Sequence, residues 1–592
     1  MIRRSLIAAA LCLLAGSASL SFGQRAGWSE EKFSMFIHYG LYSLFGGEFE
    51  GQPVREGYSE QILTFGVHFS DWYEAAAREF TAERFDADSI AALAKAAGMR
   101  SVVLTAKHHD GFCLFRTATT SYNSYDGAPA RRDLVGEMAE ACHRAGLGFG
   151  VYFSLIDWHY PYAVPYSSHN ADPVTEPHHE YNIAQVRELL TGYGRIDEIW
   201  FDMGSLTEAQ SEELYRLVHR LQPECMVSGR LGNDYADFAV MADNALPDYA
   251  MVMPWQTAAS IFPETWGYRS WQDRSMPAEK KAEEKLGDLL RVVTSGGKYL
   301  LNIGPMGDGS VVPYEREVLL AMGEMLRRLP PEALTPKEPE AAKPLPKGTP
   351  LTPQNALPLY THSSADYYAS YRAVAGYRWS LSRPAKRLSL CYTEAEKGRE
   401  ILLDGAPLTL EGGTAEALRP DYTKVRAKGK WRKSPSRGLF GSFTPGNAPG
   451  EETASEWTDP LEEPLERHSG ELYEITLTAD EAMLLPVRLD FSDGVLVALN
   501  GDFADGAIQR TGDGSLTLLL PLRRGTNTLL LKSYNLTSDA GARLRLTPLK
   551  ELTLYRKEIT REKAGRTVEI RRPYLLPFAA PAHLYNLSVV SV

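Results

Sequence analysis

The feature that most limits how this chain can fold is a repeated order of segments: helical apolar spacing leads, within a few residues, into a short apolar run. Ile90, Leu93, Ala94 and Ala97 recur at i, i+3, i+4 and i+7, Gly98 stops that helix, and "SVVLTA" follows as a buried strand. The unit then repeats, with "DLVGEMAEACHRAGL" before "GFGVYFS", "IAQVRELLTGYG" before "IDEIWFD" and "EELYRLVHRL" before "ECMVSGR". Serial units of this kind imply a parallel sheet, either a (β/α) TIM-like barrel or a doubly wound sheet. A barrel gathers its working polar residues at the C-terminal ends of strands, and those positions hold His108 and His109, Tyr152 and Ser154, Asp202, and Arg230. No Gly-rich phosphate loop follows the first strand, which argues against a dinucleotide fold.

The alternation stops near residue 330. "PPEALTPKEPEAAKPLPKGTPLTP" is rich in Pro, Lys and Glu, has no period, and reads as a semi-stiff linker. Beyond it, short runs such as "GVLVALNGD", "GSLTLLLPL" and "NTLLLKSYN" are separated by Gly, Asn and Asp turns, the pattern of an all-β sandwich. The stretch "KVRAKGKWRKSPSRGLFGSFTPGNAPGEE" is expected to interrupt that domain as a long solvated loop. The start of the chain combines Arg3 and Arg4, an apolar run through Leu14 and a small-residue tail, the order of a secretory signal peptide too short to anchor in a bilayer. The expected organisation is a signal peptide over 1–24, a (β/α) barrel over 25–332, a linker over 333–352 and β-sandwich structure over 353–592. The protein is expected to be secreted or periplasmic.

A net charge of −12 argues against nucleic acid or an anionic membrane as the main partner, because phosphate binding needs clustered Lys and Arg. A small molecule or a neutral polymer fits better. Cys113, Cys142, Cys225 and Cys391 are widely spaced and form no CxxC, so they read as buried thiols and not as a disulfide framework.

"TAKHHDGF" invites a metal reading. Adjacent residues of an extended strand point to opposite faces, however, so His108 and His109 cannot both face one ion without a bend, and no HExxH accompanies them. The alternatives are two satisfied structural histidines or a polar-ligand pocket at a strand end, and the barrel pattern favours the pocket. In "EIWFDMG", Trp200 and Asp202 share a face by strand alternation. An apolar plate beside a carboxylate suits a sugar, whose C–H face stacks on indole while the carboxylate acts at the anomeric carbon; a capping or salt-bridging Asp is the plainer alternative.

The blocks "MFIHYGLYS", "FTAERFDADSIAALAKAAGMRSVVLTAKHHDGF", "RRDLVGEMAEACHRAGLGFGVYFS", "IDEIWFDMG", "WGYRSW" and "SGGKYLLNIGPMGDGSVVP" occur in one order over about residues 28–330. In that order they resemble the α-L-fucosidases of glycoside hydrolase family 29. The resemblance implies a retaining hydrolase acting on α-L-fucosides of oligosaccharides or glycoproteins, with no metal and no organic cofactor. By motif, Asp202 would be the nucleophile, held ionised by Arg230. His38, Asp71, Trp72, His108, His109, Tyr152, Trp200 and Arg230 would line the fucose pocket, and Trp266 would wall it near the C5 methyl group.

The general acid/base stands in a variable loop of the family, between the Arg230 position and the "WGY" block. Many members carry a Trp-Glu pair shortly before that block. Here the sequence reads "PWQTAAS", with Gln256 at the corresponding place. The candidates are Asp243 in "MADNALP", preferred on spacing, and Glu264 in "FPETWGY". Competing readings are a related retaining glycosidase on a galacto-configured sugar, and a lectin-like protein with an inactive barrel whose β domain stacks glycans on aromatics such as Trp431 or Tyr534.

Overall fold

The computed structural model describes residues 26–67, 70–162, 173–203, 206–233, 235–246, 250–337, 343–361, 372–434, 437–438, 451–452, 456–458, 460–463, 469–535, 542–573 and 582–591. The signal-like segment 1–24 and linker residues 338–342 lie outside them. Eight parallel strands form one curled sheet: β1 (Phe33–Ile37), β2 (Ser101–Lys107), β3 (Gly148–Ser154), β4 (Glu198–Asp202), β5 (Met226–Val227), β6 (Ala239–Val240), β7 (Trp255–Ser260) and β8 (Lys298–Ile303). Their spatial order is β5-β4-β3-β2-β1-β8-β7-β6. A parallel bridge between Ser228 and Phe238 joins the two edges, so the sheet closes on itself. Helices α1 (Ala87–Ala96), α2 (Leu134–Ala145), α3 (Glu176–Gly192), α4 (Glu208–Leu221), α5 (Ala278–Thr294) and α6 (Pro313–Arg328) follow β1, β2, β3, β4, β7 and β8.

Local chemistry sets these helix ends. Asp133 caps α2 by accepting from Gly136 N–H, and Gly146, left-handed at φ 69°, ends it. Thr207 and Gln210 close a capping box on α4. Among the described residues no α-helix separates β5 from β6 or β6 from β7, only the 3-10 turn Gly229–Leu231. The intervening sequence is broken by Gly, Asn and Pro, and "PWQTAAS", expected as part of a loop, is instead the buried strand β7.

Strand alternation divides the barrel's apolar residues into two groups. Met35, Ile37, Val102, Leu104, Val151, Phe153, Ile199 and Phe201 face the helices. Phe36, Val103, Tyr152, Trp200, Ala258 and Leu300 fill the interior as a separate cluster. At the N-terminal end of this plug, Glu198 accepts from Lys298 Nζ at 3.3 Å and Gln256 Nε2 at 3.3 Å, and from Trp28 Nε1. The interior positions at the opposite end carry the candidate site.

The second domain is built of long strands, chiefly antiparallel, whose hydrogen bonding runs continuously around one core. Its principal members are β9 (Arg372–Thr393), β10 (Ser469–Ala479), β11 (Met483–Leu499), β12 (Asp502–Leu522), β13 (Gly525–Asn535) and β14 (Leu552–Arg571). Part of the expected basic loop is ordered differently: Val425–Ala427 and Arg432–Lys433 pair with β10, because β10 offers them an unpaired edge. Trp431 and Tyr534, which a glycan-stacking surface would need exposed, are buried. The four cysteines are buried free thiols.

Candidate active site

Asp202 is the last residue of β4 and faces the interior beside Tyr152. Its two carboxylate oxygens have separate donors: Tyr152 Oη donates to Oδ2 at 2.6 Å, and Arg230 Nη1 donates to Oδ1 at 2.9 Å. The next residue, Met203, adopts a left-handed backbone at φ 59°, which is strained for a non-glycine residue and turns the chain away directly after the carboxylate.

Arg230 lies in a short 3-10 turn, Gly229–Leu231, just past β5. Its guanidinium sits 4.7 Å from the Trp200 ring centroid. Nη2 donates to Asp243 Oδ1 and reaches Met241 O at 3.4 Å. One guanidinium therefore carries both carboxylates, each on its own terminal nitrogen. Asp243 is the more open of the two, with its side chain 31% exposed against 10% for Asp202.

The histidines line the other side. The strand rule predicts that His108 and His109 diverge, but β2 ends at Lys107 after a register shift, and the chain then turns. Gly111, at φ 78°, completes this turn, and a Cβ there would meet Asp157 Oδ1 at 2.2 Å. The two rings lie 3.9 Å apart, with His108 stacked on Tyr152 at 5.3 Å. A buried Lys107–Asp157 ion pair at 3.4 Å ties down the same turn. Among the described residues no three His, Cys, Asp or Glu side chains are grouped to hold a metal ion.

The hydrogen-bond network assigns the tautomers. Asn302 donates Nδ2 to Trp266 O at 2.7 Å, so its Oδ1 accepts from His38 Nδ1–H at 2.7 Å. Ser154 donates its hydroxyl to Ile156 O at 2.8 Å, so its oxygen accepts from His109 Nδ1–H at 2.8 Å. Each of these rings keeps Nε2 as an acceptor, and His108 Nδ1 is buried without a hydrogen-bond partner. Burial holds all three rings neutral. It pushes His38 down to about 3 and His109 to about 4, each partly opposed by Asp202, and it drives His108 well below the usual range.

Trp266 completes the wall, 5.2 Å from His38. Its backbone is held by Glu60, whose carboxylate accepts from the N–H groups of Trp266 at 3.1 Å and Gly267 at 2.8 Å. Glu60 is buried, and desolvation raises its carboxyl to about 7. Because this group is raised in the folded state, the stability it contributes is complete below about pH 4.5 and is lost as pH rises through 7. Glu60→Gln should therefore stabilise the protein relative to wild type more at pH 8 than at pH 5, by on the order of 1 kcal/mol or more. Thermal denaturation at the two pH values checks this, and a pH-independent difference would exclude Glu60 as a titrating group.

The sequence-predicted residues do not all converge. His38, His108, His109, Tyr152, Trp200, Asp202, Arg230 and Trp266 form one cluster, and Asp243 joins it through Arg230. Asp71 and Trp72 do not. They lie on the short helix Ser70–Ala75, where Tyr73 turns inward to donate to Asp110 at 2.6 Å, while Asp71 is exposed and Trp72, 53% exposed, rests on Phe45 and Phe49. Asp71 and Trp72, expected in the pocket, stand on the exposed face of this helix while Tyr73 takes the inward one.

Gln256 is also displaced from its expected place. It is the second residue of β7, deep in the barrel, with Oε1 accepting from Trp200 Nε1 at 2.9 Å, so it does not stand where an acid/base would. Glu264 is exposed on the loop before Trp266. Glu60 and Asn302 were missed as site residues. Asn302 had a signal, a polar residue near the end of the apolar run "KYLLNIG", whereas Glu60 sits in an aperiodic stretch without one.

Residues 17–329 match the family model described as "Alpha-L-fucosidase". The chain is 30% identical over 321 residues to the tissue α-L-fucosidase of Mus musculus, covering 51% of this chain and 69% of that protein. The tissue α-L-fucosidase of Homo sapiens is 30% identical over 322 residues, covering 51% and 67%. A solved α-L-fucosidase of Lactobacillus casei, in complex with α-L-fucose product, is similar at 34% identity and a TM-score of 0.47, covering 51% of this chain and 98% of that one.

Proposed function

Because the chain belongs to the α-L-fucosidase family of glycoside hydrolases, we propose that it is a secreted, retaining exo-enzyme that removes terminal α-L-fucosyl residues from oligosaccharides or glycoproteins. The observation that carries this reading is the pair of carboxylates, Asp202 and Asp243, held on the two terminal nitrogens of Arg230 at the mouth of the barrel.

In the first step an Asp202 oxygen bonds to the anomeric carbon, the glycosidic C–O bond breaks, and Asp243 gives its proton to the departing oxygen. In the second step Asp243 takes a proton from water, the water oxygen bonds to the anomeric carbon, and the bond to Asp202 breaks. The neutral imidazoles supply acceptor nitrogens, which suit the hydroxyl donors of a sugar, and Trp266 offers an apolar face to the C5 methyl group. The charged side chains of the cluster described above are Arg230 and the two carboxylates, which fits an uncharged glycone.

The proposal is tested by following the hydrolysis of an aryl α-L-fucoside by proton NMR. The expected first product is the α anomer of fucose. First formation of the β anomer would overturn retention, and turnover of galacto-configured aryl glycosides in preference to the fucoside would move the substrate assignment. N-terminal sequencing of exported protein, expected to begin near residue 25, checks secretion.

A further inference from the structure

The loop that bears Asp243 is secured from two sides. On the barrel side, Met241 N–H donates to Gln256 O at 3.1 Å, Asn244 N–H to Ala258 O at 3.0 Å, and Thr257 Oγ1 to Ala245 O at 3.0 Å, so residues 241–245 lie along β7. Asn244 takes a left-handed backbone, φ 58°, and its Oδ1 accepts from Ser260 N–H at 2.8 Å.

On the other side the returning strand segment is held by the second domain. Tyr360, on the strand Leu357–Thr361, forms a parallel bridge with Met251. Tyr360 N–H donates to Ala250 O at 2.8 Å, and Val252 N–H donates to Tyr360 O at 3.3 Å. Arg571, the last residue of β14, reaches Val252 O at 3.4 Å through Nη1. Arg571 is itself paired with Glu569, which also binds Arg378 at 2.7 Å. Met251 packs against both hydrophobic cores. Two residues further on, Pro254 O accepts from Ala239 N–H at 2.8 Å, which joins this segment to β6 just before Asp243.

We infer that the β domain acts as a brace for the catalytic loop, with Arg571 and the Tyr360 main chain as positioning elements that set Asp243 against Arg230 and Asp202. The inference rests on the reading of Asp243 as acid/base. Backbone hydrogen bonds carry the brace at one end and an arginine drawn from a charged cluster carries it at the other. A loop fixed only along β7 would still pivot about that strand, whereas a second attachment at Ala250–Val252 removes the pivot. Proton transfer depends steeply on distance, so a small displacement of Asp243 would slow protonation of the leaving group while leaving the glycone pocket unchanged.

The test uses the full chain carrying Arg571→Ala, Arg571→Lys or Tyr360→Pro, which removes the Tyr360 N–H. Each is assayed beside Asp243→Asn on aryl α-L-fucosides of graded leaving-group acidity. For Arg571→Ala, kcat/KM on a phenyl fucoside should fall about tenfold to a hundredfold. On a dinitrophenyl fucoside, which departs without a proton, kcat/KM, which reports the first step alone, should stay within about twofold. Arg571→Lys should recover most of the loss, and Tyr360→Pro, where it folds, should behave as Arg571→Ala does. Equal losses on both substrates, or none, would overturn the brace. A leaving-group-dependent loss in Asp243→Asn but not in Arg571→Ala would overturn the brace alone, and its absence from both would overturn the acid/base reading with it.

Discussion

Asp202→Gly should lower turnover of an aryl α-L-fucoside by about 10⁴-fold or more, the scale on which removal of a covalent nucleophile acts. Asp202 is the one carboxylate of the cluster fixed on both oxygens, by Tyr152 at 2.6 Å and Arg230 at 2.9 Å, so its approach to an anomeric carbon is set before substrate arrives. Glycine leaves a gap where the side chain stood. Added azide should enter that gap, attack the anomeric carbon from the same side, and restore part of the rate on a substrate with a good leaving group. The product would be the fucosyl azide of inverted configuration. Substantial residual hydrolysis without azide would mean that another group is the nucleophile. Arg230 keeps Asp243 as a partner in the variant, so its guanidinium is not left without a counter-charge and the fold should persist.

The second large effect separates the two acid/base candidates. Asp243→Asn should reduce kcat on poor leaving groups by about 10²- to 10⁴-fold, while Glu264→Gln should stay within about threefold of wild type. The physical reason is placement. Asp243 shares the Arg230 guanidinium with Asp202, so the two carboxyls flank one short span, as a retaining pair separated by about 5 to 5.5 Å must. Glu264 is exposed on the loop before Trp266, whereas both terminal nitrogens of Arg230 are taken up by Asp202 and Asp243. The reverse pattern would transfer the role to Glu264.

Much of the barrel was legible because its cause is local. Strands buried on both faces read as continuous apolar runs, as in "SVVLTA" and "GFGVYFS", and helix ends carry their own caps, as at Asp133 and Thr207. The alternation that places Trp200 and Asp202 on one face is likewise local, and both side chains point into the barrel. The readings that failed were those that assumed a regular geometry where the chain departs from it. His108 and His109 meet because a turn, not a strand, carries them. Gln256 is buried because "PWQTAAS" carries a strand.

By itself the sequence determined the order of barrel elements, the β character of the C-terminal part and the identity of the strand-end residues, because each follows from periodicity or from composition over a few residues. The tertiary structure alone decided which of those residues meet. Arg230 joins Asp202 to Asp243, Asn302 and Ser154 choose the tautomers of His38 and His109, Glu60 holds Trp266 from more than two hundred positions away, and the β domain grips the loop behind Asp243. These contacts depend on closing the barrel and docking the second domain, operations that bring distant segments together and leave no mark on the spacing of either segment alone.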